Sequence, residues 1–463
     1  MPVRRSALLL LVVTAALAAP GLARATEVSV PMDDGVPIFA SLLEPGGAPP
    51  TGGWPGVMMF HGLGGSHNDL LPIAQSYVAK GYAVFVPDAR GHGHSGGFVS
   101  LDGPREVADV RTELQWFAGL PDVSDTQIGA WGISLGGGAA WNSAVAGVKF
   151  KAVETFETWS DLYGALFPND FGKSGAIFAF AQSVPTERID PSLRQYVPQL
   201  IRSENLPVAQ TLLGSRSSLK LMSALTTPSF LFQGRRDFAF DIDQATAAYR
   251  RLAGPKRLYI GDFGHSPSSF PGPDLAHILD LSTRWYDRFL KEEPNGVDKE
   301  KPVQVASDPW RTAASYATVP QVKRFTLSRK GLRALAPRGK LVYRFAPLKS
   351  TVEQFGPPVA TIVAKTARNW PHIVAVLTAG DTVLSEGGTI TPAGKGTWRV
   401  TFKLISDANL LKKGTRLTLT VGGTSTVQNT ANLLYLKPVP DDARLKIGSV
   451  RISVPVLPKP ISR

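Results

Sequence analysis

The 463-residue chain reads as an α/β protein with a doubly wound, mostly parallel sheet and a helical insertion, followed by an all-β, jelly-roll-like sandwich. Three observations lead to this. Between residues 56 and 156, short unbroken apolar runs alternate with helix-like segments, the pattern of strands buried on both faces of a parallel sheet. Residues 159–221 interrupt that rhythm with apolar clusters at helical spacing. Beyond residue 302, β-branched runs separated by Gly, Asn, Asp and Pro replace the alternation.

The first 25 residues read as a signal peptide. Arg4 and Arg5 precede an apolar stretch at 7–19 that is short for a bilayer span. Ala23-Arg24-Ala25 then offers a cleavage site before Thr26. The expectation is an exported protein, secreted, periplasmic or held at the cell envelope. The arginine pair matches a twin-arginine signal only in part. There are no cysteines, which excludes a disulfide framework and a thiolate metal site. No H-E-x-x-H pattern occurs either.

Residues 26–290 form the expected catalytic domain. Two short strands near 28–30 and 38–43 open it. Gly56-Val57-Met58-Met59-Phe60 is the first buried strand and ends in His61-Gly62-Leu63-Gly64-Gly65. A helix over 69–80 leads to the strand at 83–87, which ends in Asp88 and the loop 89–97. A helix over 107–117 leads to the strand before Ser134, and another strand follows at 152–156. After the 159–221 insertion, expected to cover the site, strands at 229–233 and 257–260 alternate with helices at 244–252 and 275–290. The charged, Pro- and Gly-bearing segment 291–302 reads as a linker. Residues 303–463 are the expected sandwich domain.

Charge is divided unevenly. Residues 304–463 hold 24 Lys and Arg against 7 Asp and Glu, a net of +17, which leaves −4 for the rest of the formal +13. In an exported protein this basicity fits an anionic cell-envelope surface better than nucleic acid.

The reactive chemistry centres on Gly132-Ile133-Ser134-Leu135-Gly136, between the apolar run 128–133 and the helix-like run 139–146. A strand that turns straight into a helix holds its middle residue in a strained conformation, and the positions two before and two after must be nearly free of side chain. Ser134 would be exposed at the tip, next to a helix N-terminus. A serine hydroxyl needs a base, and the base needs an acid to fix its tautomer. In such sheets reactive groups lie at the C-terminal strand ends, in the order Ser, acid, His. Three histidines follow Ser134. His372 falls in the sandwich and His277 inside the last long helix. His265, just past the strand at 257–260, is the expected base. The acid is Asp237, just past the strand at 229–233. Asp241 and Asp243 are the alternatives, with Asp243 also placed to cap the helix beginning near Gln244. The developing oxyanion needs two donors, and the backbone N–H groups of Leu135 and Leu63 are placed to supply them. His61, His92 and His94 lack a carboxylate set at ligand spacing and read as loop braces, and Asp88 reads as a structural acceptor. The chemistry calls for no cofactor and no metal.

The loop 61–65, the segment 88–96, the elbow 132–136, Asp237 and His265 together resemble the α/β-hydrolases over residues 27–290. A hydrolase domain followed by a β sandwich is similar to the X-Pro dipeptidyl-peptidase and cocaine-esterase-like family (CocE/NonD, peptidase family S15). Asp308-Pro309-Trp310-Arg311 and the segment 406–417 add points of similarity. One feature departs. The cocaine-esterase-like members place a tyrosine hydroxyl in the loop after the third strand, and this chain has His61-Gly62-Leu63, which resembles lipases, dienelactone hydrolases and simple esterases.

The resemblance implies a serine hydrolase that cleaves small esters through an acyl-enzyme. The family also implies an alternative, an X-Pro dipeptidyl-peptidase acting on short peptides. That activity requires a carboxylate for the free amine, for which Glu157, Asp161 and Asp170 are the candidates. A third reading is a non-catalytic envelope-binding protein that uses the basic domain.

Overall fold

The computed structural model describes residues 24–427 and 434–461. The signal-peptide reading therefore lies almost wholly outside the described residues. Arg24 and Ala25 already belong to the first strand, where they pair with Glu44 and Leu43.

Ten strands form the first sheet: β1 (Arg24–Pro31), β2 (Pro37–Glu44), β3 (Trp54–Phe60), β4 (Ala83–Pro87), β5 (Val123–Ile133), β6 (Ala152–Phe156), β7 (Ser229–Gly234), β8 (Lys256–Gly261), β9 (Val303–Ala306) and β10 (Ala313–Tyr316). Their order is β1-β2-β4-β3-β5-β6-β7-β8-β9-β10. From β4 to β9 neighbouring strands are parallel, with antiparallel strands at both edges. The reversal of direction between β4-β3 and β3-β5 is the point where a doubly wound sheet opens a crevice at its strand ends.

Every residue of β4, β6 and β7 is buried, because helices cover both faces. On one face α1 (Leu71–Val78) and α10 (Leu275–Phe289) pack Tyr77, Leu281 and Trp285 against Met59, Val84 and Phe232. On the other, Val110 and Phe117 of α2 (Pro104–Ala118), Trp141 of α3 (Leu135–Val145) and Ala248 of α9 (Ile242–Arg251) pack against Met58, Phe60 and Phe85. Between β6 and β7 lie five short helices: α4 (Leu162–Leu166), α5 (Ser174–Gln182), α6 (Pro191–Arg194), α7 (Val197–Ile201) and α8 (Leu206–Gly214). Residues of α4, α5, α7 and α8 share an apolar cluster with Leu135 and Leu63, so the insertion sits over the strand ends as a cap.

The boundary expected at residues 291–302 is corrected. β9 pairs in parallel with β8, and β10 pairs with β9. The chain therefore returns to the first sheet before leaving it. Val303, Val305 and Ala306 are fully buried, and without them β8 would expose an apolar edge.

The remaining strands form two sheets around one core. The larger contains β11 (Lys323–Leu335), β13 (Val352–Gly356), β14 (Val359–Arg368), β17 (Gly396–Lys403), β18 (Asp407–Leu411) and β20 (Arg444–Val456). The smaller contains β12 (Lys340–Arg344), β15 (His372–Ala379), β16 (Thr382–Ile390) and β19 (Leu417–Gly422). Ile362, Phe402 and Ile452 of the first face Leu341, Leu377 and Leu419 of the second. Alternation along β14 and β17 places these residues inward and polar ones outward. Among the described residues no helix is long and apolar enough to cross a membrane.

Candidate active site

The turn after β5 has the expected strain. Ser134 sits at φ 53°, ψ −115°, outside the usual regions for a non-glycine residue. A Cβ on Gly132 would lie 2.1 Å from Gly136 O, and one on Gly136 would lie 2.0 Å from Phe60 O. Hence no larger residue fits at either position. The strained residue is pinned on both sides. Its N–H donates to Phe156 O at 2.9 Å, and its carbonyl accepts from Gly137 N–H at 3.0 Å and from Thr158 Oγ1 at 2.7 Å.

The structure brings Ser134, His265 and Asp237 together. Ser134 Oγ lies 2.9 Å from His265 Nε2, and His265 Nδ1 lies 2.8 Å from Asp237 Oδ2. Asp237 is fully buried and its two oxygens are saturated. Oδ2 also accepts from His265 N–H at 3.1 Å, while Oδ1 accepts from Ala239 and Phe240 N–H, each at 2.9 Å. With Nδ1–H committed to Asp237, Nε2 presents its lone pair to the serine hydroxyl. Phe240 packs edge-on against the His265 ring at 5.2 Å.

The alternatives fall elsewhere. Asp241 caps α9 by accepting from Asp243 N–H. The helix thus begins at Ile242, and the cap expected of Asp243 belongs to Asp241. Asp243 accepts from Ser406 Oγ. His277 lies against Tyr259 and Trp310, and His372 stacks on Phe171. Of the three carboxylates that could receive an amine, Asp161 caps α4 and Asp170 accepts from Tyr163 OH.

The loop after β3 approaches the serine closely: a Cβ on Gly62 would lie 3.6 Å from Ser134 Cβ. His61 sets its orientation. Ala89 N–H donates to His61 Nε2 at 2.9 Å, so the ring proton resides on Nδ1 and donates to Gly62 O at 2.7 Å. Gly62 C=O and Leu63 N–H belong to one trans peptide and point in opposite directions. Binding the carbonyl therefore turns the Leu63 N–H away from His61. Burial lowers the His61 pKa and keeps the ring neutral in this role. Leu135 N–H, first in α3, has no partner one turn back. Asp88 accepts from His67 Nδ1, His67 N–H and His94 N–H, as a structural acceptor does. His92 meets the His61 ring edge-on, and burial pushes its pKa down to about 4.

Two further ionisable groups lie close to the triad. Glu157 follows β6 at φ 39°. It is buried, its Oε2 has no hydrogen-bond partner, and its carboxylate lies within 4.8 Å of ligating atoms of both Asp237 and His265. Burial pushes its pKa up to about 8. For His265, burial works downward, but the Asp237 carboxylate, then Glu157, outweigh it and raise the pKa. Lys173, from the cap, is 1% exposed. Its ammonium donates to Phe238 O at 2.7 Å and Ala239 O at 3.0 Å, holding the turn that supplies donors to Asp237.

The site opens on an apolar cavity of about 90 Å³ beneath the cap. Ser134 lies at its base with Leu63 and Leu135, and Leu166, Ile177 and Leu200 form part of its wall. Trp159 Nε1 donates to Arg216 O. Apart from Trp159 and Ser134, every lining side chain is hydrocarbon.

A parallel sheet with a serine elbow, and a histidine and an acid at later strand ends, defines an α/β-hydrolase. The chain belongs to the X-Pro dipeptidyl-peptidase (S15) family, whose model matches residues 34–267. The whole fold is similar to that of a CocE/NonD family hydrolase from Staphylococcus aureus, at 15% identity and a TM-score of 0.70 over 93% of each chain. It is also similar to an α-amino acid ester hydrolase, at 15% identity and a TM-score of 0.68 over 94% of this chain and 97% of that one. In sequence the chain is 34% identical over 107 residues to quorum-quenching protein AidA of Acinetobacter baumannii, which covers 21% of this chain and 34% of that protein. Another relative, 29% identical, is matched over 38% of its length. The chain thus spans about a third of the length of these curated relatives.

Proposed function

We propose that the protein is an exported serine hydrolase that cleaves carboxylic esters with an apolar acyl group. The observation that carries this reading is a hydrogen-bonded Ser134–His265–Asp237 relay at the base of an apolar cavity. Ser134 Oγ attacks the ester carbonyl while its proton passes to His265 Nε2. Asp237 holds the imidazole and stabilises the imidazolium. The N–H groups of Leu63 and Leu135 receive the oxyanion. Collapse breaks the C–O bond, and the alcohol leaves with the proton from His265. Water then repeats the sequence on the acyl-enzyme, with His265 as base, and the carboxylic acid departs.

The cavity favours ester over X-Pro peptide. A free α-amine entering it would be desolvated without a carboxylate to receive it. Asp161 and Asp170 are engaged elsewhere, and Glu157 is not among the residues lining the cavity. The N-terminal pattern of residues 1–25 supports export.

The test compares p-nitrophenyl acetate, butyrate, hexanoate and octanoate with an X-Pro p-nitroanilide. The expected result is kcat/KM rising about fourfold per methylene until the cavity is full, from ~0.8 kcal/mol per buried methylene, with the anilide inert. Cleavage of the anilide alone would reject the reading in favour of the dipeptidyl-peptidase.

A further inference from the structure

The cations of the two parts of the molecule are treated differently. In the first part, Arg90, Arg105, Arg236, Arg257, Arg284 and Arg288 each meet a carboxylate. The β region has seven carboxylates, of which Asp381, Asp441 and Asp442 are exposed. Glu353, Glu386 and Asp407 are fully buried, and Asp308 meets Arg236 at the junction. Asp441 pairs with Arg338, and Asp442 accepts from Asn369.

The strand registers show what this leaves on the outer face of the larger sheet. Across β17, β14, β20 and β11, one row is Arg399, Val363, Ser449 and Lys330. The next is Thr401, Thr361, Arg451 and Ser328. Their sequence neighbours Trp398, Phe402, Ile362 and Val450 lie in the core, so pleating directs the rows outward. The stem of Lys365 crosses Gly448 on the same part of the sheet. Lys330, Lys365, Arg399 and Arg451 are all exposed. Among the described residues none of the four pairs with a carboxylate, and no carboxylate occurs in either row. On β11, where the register shifts between Lys330 and Arg333, Leu332 is 62% exposed. A large exposed apolar side chain flanked by cations is costly in water and favourable at a lipid headgroup boundary.

We propose that this face docks the protein on an anionic lipid bilayer, with the cations on headgroup phosphates and Leu332 at the acyl boundary. Charge complementarity selects an anionic partner. The two-dimensional spread of the cations and the exposed leucine on the same strand select a surface over a linear polymer. Each cation near an anionic surface contributes about fivefold in affinity, the equivalent of ~1 kcal/mol, and the attraction weakens as salt shortens the Debye length.

The test is co-sedimentation of the full chain with phosphatidylcholine vesicles and with vesicles of mixed phosphatidylcholine and phosphatidylglycerol. The N-terminal apolar stretch is common to both arms, so the difference between vesicle types is the readout. The expected result is a preference for the anionic vesicles that falls steeply with salt. The combined variant Lys330→Gln, Lys365→Gln, Arg399→Gln and Arg451→Gln should reduce that preference by more than a hundredfold. Leu332→Ser should reduce it less. All five positions are solvent-facing, and unchanged hydrolysis of a soluble ester confirms that each variant is folded. Equal binding of wild type and combined variant to anionic vesicles would overturn the proposal. So would retention by immobilised polyphosphate without binding to vesicles, which would make the face a polymer site.

Discussion

The elbow under Ser134 and the loop that carries Asp237 serve one relay but are built in opposite ways. The elbow is local. Its shape follows from two glycines, a strand and a helix within a dozen residues, and its closest contacts come from β3 and β6 in the same sheet. The acid loop is held from a distance. Arg235 O accepts from Ala408 N–H at 2.8 Å, and Ile242 N–H donates to Ser406 O at 3.1 Å. Ser406 N–H and Oγ reach Asp241 and Asp243. Arg235 pairs with Glu353 at 2.7 Å, both fully buried, and Lys173 grips Phe238 and Ala239 from the cap. Thus the β region acts as the mould for the acid of a triad to which it contributes no member.

The largest expected effect tests the local half. Gly132→Ala or Gly136→Ala introduces a Cβ within about 2.1 Å of backbone, which no rotamer change relieves. Neither variant should yield soluble protein with a cooperative thermal transition. Next is the distant clamp. Glu353→Ala takes the nearer carboxylate from buried Arg235 and leaves it Asp308 at 4.0 Å, a loss of up to ~3–5 kcal/mol. The transition temperature should fall, and ester hydrolysis should be lost at temperatures below those that disturb the elbow. Retained stability would mean that the acid loop does not depend on the β region.

Lys173→Met keeps the length of the side chain and removes two charge-assisted hydrogen bonds, each worth ~1.5–3 kcal/mol. With the loop slackened, kcat should fall about tenfold to a hundredfold with KM nearly constant. A change in KM alone would assign Lys173 to substrate binding. The smallest effect concerns Glu157. The proposed mechanism requires neutral His265, so kcat/KM should rise with pH through the His265 pKa, which Asp237 and Glu157 together raise. Glu157→Gln removes one negative neighbour, and the acidic limb should move to lower pH with little loss at the plateau. An unmoved limb would show that Asp237 alone sets the pKa of the base.

The same contrast explains what could be read from the sequence. The elbow, the strand-end positions of Asp237 and His265, and the Gly62–Leu63 approach follow from spacing, because each is a local steric or topological requirement. The cap was legible as a break in strand rhythm. Residues 303–306 and 313–316 join the first sheet and not the sandwich expected of them, because a four-residue run says nothing about which edge it joins. Lys173, in Gly172-Lys173-Ser174, looks like an ordinary loop cation; its burial depends on two other segments closing over it. From the sequence Glu157 reads only as a candidate amine acceptor. Its position at the end of β6, level with Ser134, was the available sign that it would face the relay. The segments near 308 and 406, points of family similarity in the sequence, are contacts on the acid loop in the structure.

The central claim is that Ser134 is a nucleophile activated by His265. It is tested most directly by treating the protein with a fluorophosphonate and locating the adduct by peptide mass spectrometry. A single stoichiometric adduct on Ser134, absent from Ser134→Ala and slowed at least a hundredfold in His265→Ala, is the expected result, since an unassisted serine hydroxyl reacts slowly at neutral pH. An unlabelled wild-type protein, or an adduct that persists in Ser134→Ala, would contradict it.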